Sequence, residues 1–376
     1  MRNILFVGPL PPPVHGQALH FMETFKGVEN CNKFLVSINA TGRSYPVIVI
    51  LVVSSLIRMI DIFVTHRIDT VYFTCSRSRK GGLFDFIVIG LSKIFGAKII
   101  NHLHGADFRD YYLSLPGLWK KIASKFYGMI DLSIVLTEGM KDQLLPFFPG
   151  MRVEVVPNFY AEDFERDVKK RSSSVRGLLY LSNIMMSKGI FDLLGAFKNI
   201  CHDFKDVRLS IAGDFVADEL MSESEVRKAF QAEMEKLRKI LPGRVEYLSV
   251  VRGEEKVLCF MESDIFILPS YYRSEAFPIS IIEAMRSGNA VITTRHNYLP
   301  EIVSERNGVF VEPRSSVAIG KALVGLLNNA EKMREIQVCN ISQAKDLYSY
   351  KRYRERISEI LDVVTDESRW RPEEHE

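Results

Sequence analysis

The sequence predicts an α/β protein with two doubly wound domains, each a parallel sheet covered by helices on both faces. Short apolar runs alternate with segments of helical periodicity over most of the 376 residues, which is typical of parallel sheets. At roughly 150 residues per domain, the length suits two domains. A charged, Ser-rich stretch at residues 163–174 interrupts the alternation, which then starts again. We therefore expect two domains that face each other across a cleft, with ligands at the carboxyl ends of the strands.

The first domain is expected to cover residues 1–165. Its six strands are predicted at Ile4–Val7, Phe34–Ile38, Thr70–Thr74, Lys98–Asn101, Leu132–Leu136 and Val153–Val156. Helices are expected at 18–26, 46–64 and 111–127. The uninterrupted apolar run in the segment 46–64 is shorter than the about 20 residues that a membrane span needs. We predict a buried helix there, with shallow insertion into a membrane as the alternative.

The second domain is expected to cover residues 166–344. Its strands are predicted at Leu178–Leu181, Arg208–Ala212, Val245–Leu248, Ile265–Leu268, Val291–Thr293 and Val309–Val311. A last helix at about 345–364 is expected to join the first domain, and residues 365–376 form a polar tail.

The composition excludes several classes of protein. With 47% hydrophobic and 25% charged residues, the chain is an ordinary globular protein rather than a disordered or fibrous one. The five cysteines form no CxxC pair, which argues against a disulfide framework and against structural zinc. The N-terminus runs directly into the first strand without the features of a signal peptide, so we expect a cytoplasmic protein.

The charge is unevenly distributed along the chain. The net charge of +3 is too small to favour nucleic acid as a partner. Residues 1–170, however, contain 20 Lys and Arg against 15 Asp and Glu. Lys120, Lys121 and Lys125 lie beside Trp119 on a predicted amphipathic helix. They form either a solvated helix face or a surface for anionic lipid headgroups.

The loop after the strand Ile265–Leu268 leads into a predicted helix. Pro278 suits the first turn of that helix. The backbone amides of Phe277, Ile279 and Ser280 would then lie at a helix N-terminus. Such amides lack partners within the helix and can bind a phosphate or sugar hydroxyls.

Two glutamates accompany this helix: Glu275 precedes it and Glu283 lies in its second turn. They could accept hydrogen bonds from a sugar or a ribose, or they could simply favour the helix dipole by about 0.3–1 kcal/mol each. With seven residues between them, they resemble the paired-glutamate motif of the retaining glycosyltransferases of family 4, which have the GT-B fold. Further landmarks resemble that family in the same order along the chain: His104-Gly105, Pro157-Asn158, Ser187-Lys188-Gly189, Ala212-Gly213-Asp214, Pro300-Glu301 and Asn307-Gly308.

The resemblance implies a nucleotide-sugar site in the second domain. Glu283 would bind the ribose hydroxyls, Glu275 would face the donor sugar, and Lys188 would grip the diphosphate, where a fixed cation lowers the barrier to transfer. The sequence departs from the family at Asn183, where an arginine is usual. An amide cannot replace a charge-assisted hydrogen bond worth roughly 1.5–3 kcal/mol. Arg273 is our candidate for the missing cation.

The resemblance also implies site residues in the first domain. Gly16 matches the glycine whose loop brings backbone amides to the donor diphosphate, and His15 is a further candidate on the acceptor side; the alternative is a rigid loop without a ligand. His104 would bond to the donor sugar, with Asp107 as an acceptor-site or orienting carboxylate. His102 and His104 alternate along extended chain, so we expect their rings to point to opposite sides.

The function that this resemblance implies is transfer of a hexose with retention. The donor would be a nucleotide diphosphate sugar, with a UDP-sugar favoured, and the acceptor a glycan or lipid-linked glycan of surface polysaccharide synthesis. The chain has no Asp-x-Asp motif, so we expect no metal and no other cofactor. An anionic membrane surface on the cytoplasmic side is a further expected partner. A nucleotide-sugar epimerase, or a donor-binding subunit with weak or no turnover, are the alternatives.

Overall fold

A computed structural model describes residues 2–11, 16–37, 45–166 and 176–365. The chain forms two compact units, one of Met1–Asn158 with Lys351–Glu376 and one of Phe159–Tyr350. Each unit is built on its own six-stranded parallel sheet. The predicted class, two doubly wound α/β domains, is confirmed.

The first unit contains β1 (Arg2–Gly8), β2 (Cys31–Ser37), β3 (Thr70–Phe73), β4 (Lys98–His102), β5 (Leu132–Val135) and β6 (Arg152–Val155). The strands pair in parallel in the order β2-β1-β3-β4-β5-β6. Every residue of β3 and β5 is buried. Helices cover both faces of such a sheet, which explains why β3 and β5 do not alternate between buried and exposed residues. All six predicted strands are confirmed to within three residues at each end.

The helices of the first unit are α1 (Gly16–Gly27), α2 (Tyr45–Thr65), α3 (Arg79–Ile94), α4 (Phe108–Leu113) and α5 (Gly117–Tyr127). Right-handed crossovers place α2, α3 and α5 on one face of the sheet and α1 on the other. Ring contacts confirm that the three helices are neighbours. The ring of Phe63 in α2 stacks at 4.9 Å on that of Phe95 at the end of α3. The ring of Phe86 in α3 stacks at 5.1 Å on that of Phe126 in α5.

The prediction that the segment 46–64 is a buried helix is wrong. The helix exists as α2, but only one side of it, including Met59, Ile62 and Phe63, is buried. The opposite side is solvent-exposed, with 65% of Ile50 and 64% of Ile57 accessible. A crossover helix packs one face against its sheet, and among the described residues nothing covers the other face of α2.

The helix predicted at 111–127 is two helices. α4 ends at Leu113 and α5 starts at Gly117, with Pro116 as the residue before its first turn. A proline disfavours helical geometry at the preceding residue, here Leu115, which accounts for the break.

The second unit contains β7 (Arg176–Leu181), β8 (Val207–Ala212), β9 (Val245–Tyr247), β10 (Ile265–Leu268), β11 (Ala290–Thr294) and β12 (Gly308–Val311). They pair in parallel in the order β12-β11-β10-β7-β8-β9. The helices are α6 (Ile190–Ile200), α7 (Glu223–Ile240), α8 (Gly253–Met261), α9 (Ile279–Arg286), α10 (Leu299–Ile302), α11 (Ser316–Leu327) and α12 (Ala330–Leu347). The six predicted strands of this half are confirmed as well.

The last helix, α13 (Tyr350–Thr365), packs in the first unit. The hydroxyl oxygen of Tyr353 lies 2.5 Å from that of Thr24 in α1. Arg356 at the same time donates to Glu154 in β6, at 2.8 Å. Much of the predicted linker and nearly all of the polar tail lie outside the described residues.

A buried asparagine ties together three parts of the second unit. Asn340 in α12 is fully buried, and its Nδ2 donates to the backbone carbonyls of Asn289, at 2.8 Å, and Asn307, at 2.9 Å. Asn307 belongs to one of the landmarks of the sequence, and its side-chain oxygen accepts from the amide of Ser304. This landmark therefore stabilises the turn that precedes β12.

We expect Asn340→Ala to destabilise the second unit. The change leaves two buried carbonyls without a donor, and each such group costs about 1–3 kcal/mol. Urea denaturation should show the loss, whereas Asn328→Ala, at an exposed position after α11, should change the free energy of unfolding by less than about 0.5 kcal/mol. Equal effects of the two substitutions would contradict this role for Asn340.

Candidate active site

The candidate site lies at the carboxyl end of the second sheet. β10 runs into a loop that contains Glu275, and α9 follows with Glu283. Both glutamates are buried, with exposed fractions of 6% and 2%. Pro278 is the residue immediately before α9 rather than part of its first turn, and Ile279 is the first helical residue. A buried carboxylate needs a cation or several hydrogen bonds, so the partners of the two glutamates define the site.

Glu275 forms a buried ion pair with Lys188. The Nζ of Lys188 donates to Oε2 of Glu275 at 2.5 Å, and the hydroxyl of Ser270 donates to the same oxygen at 2.7 Å. The side chains of Lys188 and Glu275 are 10% and 7% exposed. The ammonium also lies 5.2 Å from the ring centroid of Tyr272. The structure thus brings together Lys188 and Glu275, two residues predicted to act in one site.

The turn that carries Lys188 is held by its neighbours. The amide of Ser187 donates to Oδ2 of Asp218 at 2.7 Å. Gly189 has a φ of +74°, a left-handed conformation that favours glycine, and a Cβ at this position would lie 2.4 Å from the carbonyl oxygen of Pro269. The close approach of Gly189 to Pro269 brings Lys188 next to the loop that contains Glu275.

Glu283 has its own lysine partner. The Nζ of Lys256 in α8 donates to Oε1 of Glu283 at 2.6 Å. Burial raises the pKa of Glu283, and the charge of Lys256 opposes that rise. The second oxygen, Oε2, is buried and has no hydrogen-bond partner among the described residues. The carboxylate is therefore oriented by Lys256, and one of its buried oxygens is an acceptor without a donor among the described residues.

Lys256 was not predicted from the sequence as a site residue. In the sequence it follows two glutamates at the start of a helix and has the pattern of a solvated position. Its partner is 27 residues further along the chain, on a different helix. Only the placement of α8 beside α9 reveals the pair.

The other predicted site residues of the second unit lie in the loop before α9, in the first turn of α9, and in the loop after β7. Phe277 is buried, and its ring centroid lies 5.5 Å from that of Tyr348. Ser280 is partly exposed in the first turn of α9. Asn183 is exposed, and its backbone carbonyl accepts from the hydroxyl of Tyr180 at 2.9 Å. Arg273 is exposed two residues before Glu275, and its role as the substitute cation stays a prediction.

In the first unit, Gly16 is the first residue of α1, and His15 lies outside the described residues. Asp107 forms an ion pair with Arg77. A Cβ on Gly105 would lie 2.3 Å from the guanidinium of Arg77. Arg77 thus packs directly against the backbone that follows His104.

The expectation that His102 and His104 point to opposite sides is wrong. Their rings stack with centroids 4.1 Å apart. β4 ends at His102, so the alternation of an extended strand no longer applies at His104. His20 from α1 lies 5.2 Å from His104, and Tyr353 packs at 4.8 Å on His20. Burial, together with the neighbouring histidines, lowers the pKa values of His20 and His102, which favours neutral rings.

No group of three or more His, Cys, Asp or Glu residues is arranged to hold a metal ion within the ranges that the structure describes. The cations that face the glutamates of the candidate site are Lys188 and Lys256.

Comparison with known proteins identifies this architecture. The family described as "Glycosyl transferases group 1" matches residues 162–340, which include both glutamates and both lysines. Residues 162–340 are therefore similar to the group 1 glycosyltransferases. Solved structures confirm the GT-B fold. A glycosyltransferase from Rickettsia africae is 17% identical, with a TM-score of 0.73 over 96% of this chain and 98% of that one. Anabaena Alr3699/HepE in complex with UDP is 16% identical, with a TM-score of 0.73 over 96% of this chain and 100% of that one.

Curated relatives of this chain are named for different substrates. The phosphatidylinositol N-acetylglucosaminyltransferase gpi3 subunit of Schizosaccharomyces pombe is 26% identical over 58% of this chain and 45% of that protein. The lipopolysaccharide 1,2-N-acetylglucosaminetransferase of Salmonella typhimurium is 28% identical over 59% of this chain and 56% of that protein. The chain spans about half the length of these relatives.

We expect Lys188→Met to destabilise the second unit by about 3–5 kcal/mol, because it leaves the buried charge of Glu275 without its cation. Adding Glu275→Leu to this variant should restore part of the loss, since the unpaired charge is then gone. Urea denaturation of the single and double variants measures both effects. As a control, Lys236→Met removes the exposed pair with Glu233 and should cost less than about 1 kcal/mol. A Lys188→Met variant as stable as this control would show that the pair is not formed.

Proposed function

We propose that this chain transfers a hexose from a nucleotide diphosphate sugar, with a UDP-sugar favoured, to a glycan or lipid-linked glycan acceptor. The observation that supports this most directly is the buried Oε2 of Glu283, an acceptor without a protein partner among the described residues. A ribose hydroxyl would satisfy it. The complexes of Anabaena Alr3699/HepE with UDP and with UDP-glucose support a uridine donor.

In this proposal Lys188 binds the donor diphosphate. Without a donor, its ammonium pairs with Glu275. A diphosphate carries more negative charge than one carboxylate, so it competes for the ammonium when it enters. Backbone amides at the start of α9, near Ser280, supply further positive potential for the phosphates or the sugar. Glu275, released in part from Lys188, can then accept from the hydroxyls of the donor sugar.

Transfer proceeds with retention and without a metal. The bond between the anomeric carbon and the phosphate oxygen breaks, and a bond from the same face to the acceptor hydroxyl oxygen forms. The acceptor proton passes to the departing phosphate, so the products are a nucleoside diphosphate and a glycoside. Lys188 stabilises the negative charge that develops on the leaving phosphate in the transition state. Electrostatic stabilisation of this kind is usually the largest single contribution to catalysis. His104 and Asp107 are assigned to the sugar and acceptor side.

The acceptor is proposed to be lipid-linked, with the enzyme cytoplasmic and peripheral on the inner face of the membrane. The names of two relatives support this, since one contains phosphatidylinositol and the other lipopolysaccharide. The excess of basic over acidic residues in the first half of the chain suits a phosphate-bearing acceptor.

A donor-binding subunit without turnover is the second candidate. Asn183, exposed and neutral where the family places a cation, favours it. Product analysis separates the two. Incubation with UDP-sugars and lipid-linked acceptors should release UDP and form a glycoside whose anomeric configuration, measured by NMR, equals that of the donor. Calorimetric binding of UDP without any release of nucleotide would favour the binding subunit and overturn the enzyme assignment.

We expect Lys188→Met to lower kcat by about 10²–10³, as does loss of a group that stabilises transition-state charge. The measurement is release of UDP under saturating donor, at a temperature where the variant remains folded by circular dichroism. Lys228→Met, at an exposed position of α7, is the matched control and should leave kcat unchanged. A folded Lys188→Met variant with unaltered kcat would exclude the diphosphate role.

We expect Lys256→Met to weaken UDP binding selectively through the ribose. Removal of the cation raises the pKa of Glu283 further, so the carboxyl group is more often protonated and a poorer acceptor. Calorimetry should show about a tenfold loss of affinity for UDP, equivalent to one hydrogen bond to a charged group. The affinity for 2′,3′-dideoxy-UDP, which lacks the ribose hydroxyls, should change little. Equal losses for both ligands would contradict the assignment of Glu283 to the ribose.

A further inference from the structure

The outer face of α2 is an exposed apolar stripe. Val49, Ile50, Val53, Ile57, Ile60 and Val64 recur at helical spacing, and all six are exposed. Ile50, Ile57 and Val64 have 65%, 64% and 70% of their surface accessible. Contiguous apolar surface of this kind marks a site of interaction with a protein or a membrane. We call these six residues the α2 stripe.

The neighbouring helices extend this surface. On α3, Leu83, Ile87 and Ile94 lie on one face and are exposed, with Ile94 at 77%. On α5, the exposed positions Leu118, Lys121 and Lys125 form the outer stripe. Because α2, α3 and α5 cover the same face of the sheet, one layer of helices has an apolar side at α2 and α3 and a basic side at α5.

α2 is long and apolar enough to cross a membrane. The topology of the sheet excludes this orientation. β2 precedes α2 and β3 follows it, and both strands pair in parallel with β1. A helix that crossed a bilayer would place β2 and β3 on opposite sides of it and break this sheet. α2 can therefore contact lipid only with its outer face, while Met59, Ile62 and Phe63 stay on the protein side.

The charged residues of α2, α3 and α5 favour an anionic membrane over another protein as the partner of this surface. α2, α3 and α5 contain two acidic residues, the exposed Asp61 and the buried Asp85. Their basic residues are Arg58, Arg79, Lys80, Lys93, Lys120, Lys121 and Lys125. An apolar stripe next to basic side chains is the composition of a helix that lies in the interface of an anionic membrane. Apolar interfaces between protein chains are instead depleted of lysine.

We propose that the α2 stripe inserts into the headgroup and acyl boundary of an anionic bilayer, with Lys121 and Lys125 bound to lipid phosphates. α2 then lies parallel to the bilayer plane, and Ile87 and Ile94 of α3 extend the inserted surface. This proposal deepens the proposed function, on which it rests for the choice of a lipid partner, by naming the surface that holds the enzyme at its lipid-linked acceptor.

Flotation of the full chain with vesicles of phosphatidylcholine, with or without phosphatidylglycerol, tests the proposal. The chain should float with the anionic vesicles. Ile50→Ser/Ile57→Ser/Val64→Ser should reduce the fraction bound by more than about tenfold, because the inserted apolar area is lost. Val317→Ser/Val338→Ser is the matched control, since these two valines are 62% and 61% exposed on helices of the other unit. It should float like the unaltered chain. Lys121→Glu/Lys125→Glu should remove the preference for anionic vesicles.

Three results would overturn the proposal. The first is no flotation of the unaltered chain with either kind of vesicle, and the second is equal flotation of the stripe variant. The third is a dimer in sedimentation velocity that becomes a monomer when the stripe is substituted, while neither protein binds vesicles. The stripe would then contact a second copy of the chain.

Calorimetric UDP binding without lipid should be unchanged in the stripe variant. If the unaltered chain did not bind UDP, the proposed function would be contradicted. The flotation experiment would still test membrane binding by the α2 stripe.

Discussion

The buried ion pair between Lys188 and Glu275 is the interaction on which the candidate site depends. Two opposite charges with about a tenth or less of their surface exposed lose most of their hydration, and their attraction offsets that loss only in good geometry. Ser270 supplies a further donor to the carboxylate, and Gly189 permits the close approach of the two chain segments. The pair therefore keeps a cation and a carboxylate in place at the carboxyl end of the second sheet before any ligand is bound.

The order of the strands explains how residues 87 positions apart meet. β7 and β10 are hydrogen-bonded neighbours, and both run in the same direction. The segments that follow β7 and β10 therefore leave the sheet at its carboxyl end, and the turn with Lys188 lies beside the loop with Glu275. Glu283 reaches its own cation differently, through the packing of α8 beside α9. Two lysines from different elements thus neutralise the two glutamates of one motif.

Much of the fold could be predicted from the sequence because parallel strands are buried on both faces. The strands β3, β5, β10 and β11 are buried along their whole length. Each of the twelve predicted strands is found among the described residues within three residues of its predicted bounds. The paired glutamates and Lys188 could be found by resemblance to a family. Lys256 could not, because a lysine that follows Glu254 and Glu255 has no local feature that distinguishes it from a solvated residue. The stacking of His102 on His104 was missed because strand alternation holds only as far as the strand itself.

The error over α2 has a different physical origin. Hydropathy measures how strongly a helix avoids water, and it does not say whether protein or lipid covers each face. In a crossover helix the sheet covers one face, and a second layer of protein is needed to cover the other. For α2, Ile57 and Val64 are exposed while Met59 and Phe63 are buried. One face of α2 therefore packs against the sheet while the other is exposed. The pairing of β2 and β3 with β1 excludes an orientation of this helix across a bilayer.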